Sequence, residues 1–428
     1  MPAKRTHLYP ADVRAGGRLV IEAVIGVTHL VESMHATIAG VTPPLGKARP
    51  DATRGITGFV YRTVRGVTRV VGGSIDMALA PLVPLLGERE STSARDHVVA
   101  ALNGVIGDHL AATGNPLAIP MQWRSQGKTV VAEKSALTTA FPNASGKIAI
   151  LMHGLCMHDG QWRTDSADRH HDHGEALARD LGMTPVYLRY NSGLHISVNG
   201  RALSTQLESL INAWPAPVES LVIIAHSMGG LLARSALYFA SIEQHQWPTK
   251  VRSLIFLGTP HHGAPLERGG HGIDAILGGS PYTAPFARIG KIRSAGITDL
   301  RYGDLRDEDW QAREAGGKLD SATRVVALPD STRCYAIAAT LGNQSGDVKG
   351  RVLGDGLVPL ASALGRHRNS VLTLAIPAAQ RRVFCGMNHM ELLSSNEVYE
   401  QIREWVLNDL DLVELLKRSA LQTEPFSL

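Results

Sequence analysis

Apolar residues recur at helical spacing in the first part of the chain. Three segments carry them at intervals of about 3.6 residues, which predicts three helices, at 18–39, 53–80 and 92–112. Ser91 or Thr92 is the predicted N-cap of the third helix. The helical pattern ends near residue 120, so residues 1–120 are predicted to form an N-terminal helical region.

Residues 121–428 alternate between short apolar runs and amphipathic segments. The runs predict β-strands at Lys147–Met152, Pro185–Tyr190, Leu221–Ala225, Leu254–Leu257 and Cys334–Ala339. The amphipathic segments predict helices at 172–181, 198–213 and 229–243. This alternation predicts the α/β fold class, with a mostly parallel central sheet and helices on both faces. The fully apolar run at 221–225 is typical of a central strand that is buried on both sides.

Residues 260–332 interrupt the alternation. They carry several Gly pairs and prolines, and they are too many for an ordinary connection between two strands. Long excursions from a compact core are often lids or binding loops. We therefore expect a lid-like insertion at this place in the chain.

Composition and charge exclude several classes of protein. Of the 428 residues, 44% are hydrophobic and 19% are charged, which excludes a disordered chain, a collagen-like chain and a coiled coil. The net charge of +4 is too small to indicate a nucleic-acid partner. No signal peptide or spanning helix is recognised, and 3 cysteines cannot build a disulfide framework, so a cytoplasmic location is predicted.

The strongest chemical signal is the sequence Ala-His-Ser-Met-Gly-Gly at residues 225–230. It follows the most apolar predicted strand and opens a predicted helix, with small residues around Ser227. This is the G-x-S-x-G pattern of a nucleophile elbow, with Ala225 in the first glycine position. The alternative is a glycine-containing helix start that Ser227 only caps. The flanking strand and helix favour the elbow.

A nucleophilic serine needs a base and a carboxylate that orients the base. In this arrangement the chain order is serine, carboxylate, histidine. His389, in a loop near the C-terminus, is the predicted base, and Asp355, between two glycines, is the predicted carboxylate. The alternatives are His367 for the base, and Asp347 or Asp330 for the carboxylate.

Two backbone N–H groups are needed to stabilise a developing oxyanion. Met228, directly after the serine, and Leu155, after the predicted strand 147–152, are the predicted donors. His153 is interpreted as structural rather than catalytic, and the turn at 258–263 is expected either to line the site or to be a rigid turn with satisfied side chains. The residues predicted to contact substrate are His153, Gly154, His226, His261 and His262.

A histidine-rich segment at residues 169–173 contains the side-chain types that bind zinc. However, consecutive residues cannot all converge on one ion. Asp172 also precedes a predicted helix, where it is the expected N-cap. No metal site is therefore predicted.

These motifs, in this order, resemble the α/β-hydrolase superfamily over about residues 125–415. They are similar to bacterial lipases and to hydrolases related to the inositol deacylase of GPI anchors. The resemblance implies an eight-stranded, mostly parallel sheet and the hydrolysis of carboxylic esters without a cofactor. It implies Ser227 as nucleophile, His389 as base and Asp355 as its partner, with Leu155 and Met228 as oxyanion donors. It does not account for the helical residues 1–115.

The predicted function is that of a serine hydrolase, a lipase or esterase that forms an acyl-enzyme on Ser227. A thioesterase or an amidase is an alternative, because the same triad attacks all three bonds. Apolar residues of the insertion favour an ester substrate with an apolar acyl chain, namely Ile273, Ile276, Leu277, Tyr282, Phe286 and Ile289. The oligomeric state does not follow from the sequence.

An alternative of another class is a membrane-associated binding protein on a hydrolase fold. Arg62, Arg65 and Arg69 share one face of the predicted helix 53–80, as in helices that lie on a membrane surface. A helix packed on the sheet domain, with its arginines in solvent, explains the same pattern and is favoured. Peripheral membrane contact through these helices therefore stays an alternative.

Overall fold

A computed structural model describes residues 93–166, 169–264, 294–317, 326–342 and 354–422. The predicted helices at 18–39 and 53–80 lie outside the described residues, and so do the predicted caps Ser91 and Thr92. The third predicted helix, at 92–112, is present as Ser93–Ala112.

Two compact units make up the chain. One comprises Ser93–His109 together with Ile119–Leu428, and the other comprises Met1–Thr92 together with Leu110–Ala118. The first unit contains every described strand and all the residues of the predicted active site. The predicted division at residue 120 stays a prediction.

Strands and helices alternate along the described residues. The strands are β1 Gln122–Ser125, β2 Lys128–Val130, β3 Lys147–Met152, β4 Thr164–Ser166, β5 Arg169–His171, β6 Thr184–Arg189, β7 Ser220–His226, β8 Val251–Leu257, β9 Arg333–Thr340 and β10 Arg381–Cys385. The helices are α1 Ser93–Ala112, α2 Lys134–Ala140, α3 His173–Leu181, α4 Ile196–Ala213, α5 Met228–Glu243, α6 Ala295–Tyr302, α7 Asp307–Glu314, α8 Leu360–Ala363 and α9 Asn396–Gln422.

An eight-stranded, mostly parallel sheet forms the centre of the first unit, with the order β2–β1–β6–β3–β7–β8–β9–β10. All neighbouring pairs from β6 to β10 are parallel, whereas β1 is antiparallel to both β2 and β6. β4 and β5 form a separate two-stranded hairpin. The expected α/β class and the expected eight-stranded, mostly parallel sheet are therefore confirmed.

Helices cover both faces of the sheet because successive strand residues point to opposite sides. On one face, Ile150 and Ile223 pack in a core with Leu207 of α4 and Ala236 of α5. On the other face, the alternate strand residues pack in a second core with α3 and α9, among them Leu151, Ile224, Leu177 and Ile402. The predicted central strand is β7, and all of its residues are buried.

Each strand that the apolar runs predict is present, with ends that shift by up to three residues. The sequence did not predict β1, β2 and β10, nor the hairpin β4–β5. β1, β2 and β10 lie toward the edges of the sheet, where only part of each strand is buried. A partly buried strand needs few apolar residues, so it leaves a weak sequence signal.

The described part of the expected insertion holds two helices, α6 and α7. The apolar residues at 273–289, from which an apolar acyl chain is predicted, lie outside the described residues. Within the part of the chain that the structure describes, no helix combines the length and the apolar composition that a membrane crossing requires.

Candidate active site

Ser227 occupies the sharp turn between β7 and α5. Its backbone has φ 54° and ψ −124°, a conformation that a residue with a side chain adopts only under strain. Its N–H donates to Leu257 O over 2.8 Å, and its carbonyl oxygen accepts from Gly230 N–H over 3.0 Å. The turn is thus tied to β8 on one side and to the start of α5 on the other.

Close backbone contacts exclude side chains around this turn. A Cβ on Gly229 would lie 2.7 Å from His153 O, and a Cβ on Gly154 would lie 2.9 Å from Ser227 Cβ. Both distances are below those that real Cβ atoms show, so each position requires glycine. The same contacts place the loop after β3 directly beside Ser227.

His389 and Asp355 lie together at the carboxyl edge of the sheet. His389 Nδ1–H donates to Asp355 Oδ2 over 2.7 Å. Asp355 Oδ1 accepts the backbone N–H of Leu357 over 3.0 Å and that of Val358 over 2.8 Å. The residues Ser227, Asp355 and His389 are only 8%, 2% and 4% exposed. The carboxylate is therefore fixed by its own turn, and it orients the imidazole.

The imidazole of His389 also lies against the end of β8. A Cβ on Gly258 would lie 2.9 Å from His389 Cε1, so glycine at this position leaves room for the ring. None of the described hydrogen bonds of His389 joins it to Ser227 Oγ. Its Nδ1–H and its backbone N–H donate to Asp355, and its carbonyl oxygen accepts from His226 Nε2–H. The structure thus brings the predicted base and the predicted carboxylate together, and it places the serine at the same edge of the sheet.

His226 lies beneath the loop that carries His389. Its Nε2–H donates to His389 O over 3.1 Å, and the two ring centroids are 4.5 Å apart. Burial lowers the pKa of His226 well below its ordinary value, and the neighbouring His389 adds to this effect. A neutral His226 supports the backbone at His389. Its contact with substrate stays a prediction.

His153 begins the loop after β3 and is bonded on both sides. Tyr190 N–H donates to His153 Nε2 over 3.4 Å, so Nδ1 carries the proton, which it donates to Gly154 O over 2.9 Å. The His153 and Tyr190 rings stack with their centroids 4.4 Å apart. Burial lowers the pKa of His153 to about 4. A neutral, fully bonded His153 therefore supports the shape of this loop.

Leu155, Cys156 and Met228 complete the surroundings of the serine, and all three are buried. Cys156 has φ 60°, and its N–H donates to Ser192 Oγ over 3.0 Å. Burial raises the pKa of its thiol to about 12, so the thiol stays protonated. Met228 is the first residue of α5, directly after the serine turn. The predicted oxyanion donors thus belong to the two segments that meet at Ser227.

His261 and His262 follow β8 and turn toward α8. His261 is buried, and its ring lies edge-on to that of Phe256 with centroids 4.5 Å apart. His262 N–H donates to Ser362 Oγ over 3.1 Å, and its ring centroid lies 5.0 Å from that of His367. Burial lowers the pKa of His262 to about 4. Contact of either residue with substrate stays a prediction.

The histidine-rich segment is built into the protein interior. His171 Nε2 lies 2.7 Å from His173 Nδ1, and His173 Nε2–H donates to Leu392 O over 2.9 Å. Asp172 caps α3 through its side chain, which confirms its predicted role, and it also accepts the Tyr187 hydroxyl over 2.6 Å. The described residues bring no three His, Cys, Asp or Glu side chains together in a group that could hold a metal ion.

Some residues that shape the site were missed by sequence reasoning. Tyr190 and Ser192 hold the loop after β3, but they lie on another loop and carry no local signal. Asn388 Oδ1 accepts from Met390 N–H over 2.9 Å and from Glu391 N–H over 3.1 Å, which forms the turn at His389. An asparagine before the predicted base is a turn signal that the sequence offered.

Residues 143–313 match the family model of the PGAP1-like alpha/beta domain. This span contains the serine turn and four of the parallel strands, β3, β6, β7 and β8. The chain is related to the α/β-hydrolase superfamily. The relation indicates a hydrolase, while the bond that such an enzyme would cleave has to be argued from its site.

Solved structures of lipases and esterases are similar to this chain in fold. The mature lipase BlEst2 of Bacillus licheniformis is 19% identical, with 60% of this chain and 91% of that chain covered and a TM-score of 0.38. Lipase B of Aspergillus fumigatus is 13% identical, with 67% and 55% covered and a TM-score of 0.34. An esterase of Pyrobaculum calidifontis is 12% identical, with 63% and 78% covered and a TM-score of 0.35. A search of curated proteins found no match.

Proposed function

We propose that this protein is a serine hydrolase that cleaves carboxylic esters through an acyl-enzyme on Ser227. The observation that supports this most is the 2.7 Å hydrogen bond from His389 Nδ1 to Asp355 Oδ2, at the same sheet edge as the strained serine turn. A histidine whose Nδ1–H is held by a carboxylate has Nε2 available as a base. Such a base is what a serine hydroxyl needs to become a nucleophile.

The reaction follows from these roles. His389 Nε2 takes the proton of Ser227 Oγ while Oγ bonds to the ester carbonyl carbon. The N–H groups of Leu155 and Met228 stabilise the oxyanion, each contributing about 3 kcal/mol. The carbon–oxygen bond to the alcohol then breaks, and the alcohol leaves with the proton from His389. Water repeats the sequence on the acyl-enzyme and releases the acid. No cofactor takes part in this scheme.

The Ser227→Ala variant tests the proposal. Without the nucleophile, kcat on p-nitrophenyl esters should fall by about 10⁶, because the triad acts as a unit. The assay compares wild type, Ser227→Ala and Ser241→Ala on a series from acetate to palmitate. Ser241 is an exposed serine of the same helix, so its variant should keep wild-type activity. More than about a tenth of the activity in Ser227→Ala would exclude this serine as nucleophile.

The same series reads out the acyl group. A maximum at long chains would identify a lipase, as the apolar residues of the insertion favour, and a maximum at short chains an esterase with a restricted pocket. Serine-dependent activity on thioester or anilide analogues alone would identify a thioesterase or an amidase. The absence of any serine-dependent turnover would leave a binding protein on a hydrolase fold.

A further inference from the structure

Helix α1 packs directly on the loop that carries Gly154 and Leu155. A Cβ on Gly104 would lie 2.1 Å from Cys156 Sγ and 2.9 Å from Cys156 Cα. Cys156 Sγ lies 3.9 Å from Ala101 O, a distance at which a thiol is a weak donor. This face of α1 therefore touches the residue after Leu155 and leaves no room for a methyl group.

The same part of α1 also contacts the loop after β6. A Cβ on Gly193 would lie 2.1 Å from Asn103 O. Asn191 Nδ2 donates to Gly107 O over 2.8 Å. The backbone of α1 is not helical at Ile106, where φ is −136° and ψ is 23°. Ile106 lies between Gly104 and Gly107, the two glycines of α1 that contact these loops. The shape of α1 is thus fitted to the two loops at the edge of the sheet.

Cys156 links these contacts to the serine. It has a positive φ of 60°, which costs about 1–3 kcal/mol for a residue with a side chain and persists only where neighbours enforce it. Here the neighbours are Gly104, against the thiol, and Ser192, which accepts the Cys156 N–H over 3.0 Å. On the other side of Leu155, His153 holds Gly154 O over 2.9 Å. Leu155 is therefore held from both directions.

We propose that α1 is a positioning element for Leu155 as an oxyanion donor, with Gly104 as the residue that sets the distance between helix and loop. This inference rests on the proposed function, which gives Leu155 its role. Because the family match begins at residue 143, α1 lies outside the matched domain. The matched span therefore contains the loop with Leu155 but not α1, the helix that packs on this loop.

The Gly104→Ala variant is the primary test. In a free helix this change stabilises by about 1 kcal/mol, but here the new methyl group must push Cys156 away. A displacement of about 1 Å at a catalytic donor costs about 10² in rate. We expect kcat to fall by about 100-fold while KM stays within threefold.

Gly200→Ala is the matched control. It places the same overlap, 2.1 Å from Ser235 Oγ, between α4 and α5. Both variants should lower Tm, but only Gly104→Ala should lower kcat by this factor. If both variants lose kcat in proportion to their loss of Tm, α1 has only a structural role and the proposal is wrong.

Two further variants act on the loop itself. In Gly104→Ala/Cys156→Gly the thiol is absent and position 156 suits a positive φ, so kcat should recover by at least tenfold over Gly104→Ala. Ser192→Ala adds no volume but removes the acceptor of Cys156 N–H, and it should lower kcat by about tenfold with KM unchanged. If the double variant shows no recovery and Ser192→Ala keeps full kcat, the contact with Cys156 does not position the donor.

Hydrogen exchange separates this proposal from the proposed function. Amides of residues 153–158 should exchange faster in Gly104→Ala than in Gly200→Ala, whether or not an ester is hydrolysed. If wild type turns over no ester but a fluorophosphonate labels Ser227, its labelling rate replaces kcat in the comparison. If wild type is active and exchange at 153–158 is unchanged in Gly104→Ala, only the positioning role fails. If Ser227 reacts with neither substrate nor probe, both proposals fail together.

Discussion

At the scale of single residues, the backbone of Ser227 carries a measurable cost. Its φ of 54° and ψ of −124° suit glycine better than any residue with a side chain. Ser227→Gly should therefore be about 1 kcal/mol more stable than Ser227→Ala, after the entropy that glycine adds to the unfolded chain is subtracted. Thermal unfolding of the two inactive variants measures this as a Tm about 2 °C higher for glycine.

Ser241 provides the control for this comparison. It lies within α5, where glycine is about 1 kcal/mol worse than alanine, so Ser241→Gly should melt below Ser241→Ala. The order of the two variants is thus reversed between the two sites. If the glycine variant melts below the alanine variant at both sites, the Ser227 turn holds no strain.

Asp355 should matter through the orientation of His389. In Asp355→Asn, one side-chain atom must still accept the N–H groups of Leu357 and Val358, so the amide NH₂ faces His389 Nδ1. The imidazole then has to move its proton to Nε2, and it can no longer act as a base; a fall in kcat of about 10⁴ is expected. The exposed Asp330, the alternative carboxylate in the sequence, should tolerate Asp330→Asn. Equal losses in the two variants would remove the role given to Asp355.

The sequence points to the proposed reactive residues more clearly than to the residues that hold them. Ser227, Asp355 and His389 stand out because their types, neighbours and chain order follow one chemical scheme. Tyr190 and Cys156 act through contacts between loops far apart in the chain, and a positive φ at a cysteine has no sequence signature. A triad could therefore be proposed from the sequence, whereas the contacts around its residues required the structure.

At the scale of elements, a buried carboxylate fastens α6 to the start of α4. Asp299 is 1% exposed and accepts from Ile196 N–H over 2.9 Å, from His195 Nδ1 over 3.0 Å and from Arg313 over 3.3 Å. Asp299→Ala leaves Ile196 N–H and His195 Nδ1 without this acceptor, while Arg313 keeps its ion pair with Asp304, and the protein should lose about 3 kcal/mol of stability. Hydrogen exchange should rise across residues 295–314 before it rises in β7.

Glu308→Ala gives the reference for that variant. Glu308 is exposed on α7, so its loss should change stability by less than about 0.5 kcal/mol. If Asp299→Ala unfolds at the same temperature as Glu308→Ala, the carboxylate does not fasten α6. A uniform rise of exchange over the whole sheet would also contradict a local fastening.

Elements in the middle of the sheet were more predictable than those toward its edges. The apolar run in β7 is buried on both faces, and the burial leaves no room for polar residues. β10 begins with Arg381 and Arg382, and only Phe384 of its residues is buried, so its sequence resembles that of a loop. The difference is one of solvation: a strand whose side chains partly face water does not need an apolar sequence.

At the scale of the whole molecule, buried neutral histidines make stability depend on pH. Burial lowers the pKa of six of them. The pKa falls to about 4 for His153 and His262 and to about 3 for His158 and His173. It falls well below the ordinary value for His226 and His261. The unfolded chain binds these protons below about pH 6.5, but the folded protein does not. Stability is therefore fully present above about pH 6.5 and is lost as the pH falls toward 4.

Denaturant unfolding at pH 7, 6, 5 and 4 measures this loss. His153→Gln should reduce the slope between pH 6 and pH 5 by up to about 1.4 kcal/mol per pH unit, the contribution of one proton. Ser241→Gln, at an exposed site without a titratable group, should leave the slope as it is. A stability that does not change between pH 7 and pH 4 would show that these histidines are protonated in the folded state.

The three cysteines lie at different depths, which gives the protein an internal probe. Cys385 is exposed, whereas Cys156 and Cys334 are buried and keep protonated thiols. An alkylating reagent should modify Cys385 at once and the other two only when they become exposed. Cys334 lies within β9, so its modification requires the sheet to open; Cys156 requires only that α1 separates from the loop it covers. The ratio of the two alkylation rates therefore measures how often that helix separates while the sheet stays intact, without substrate and without any substitution.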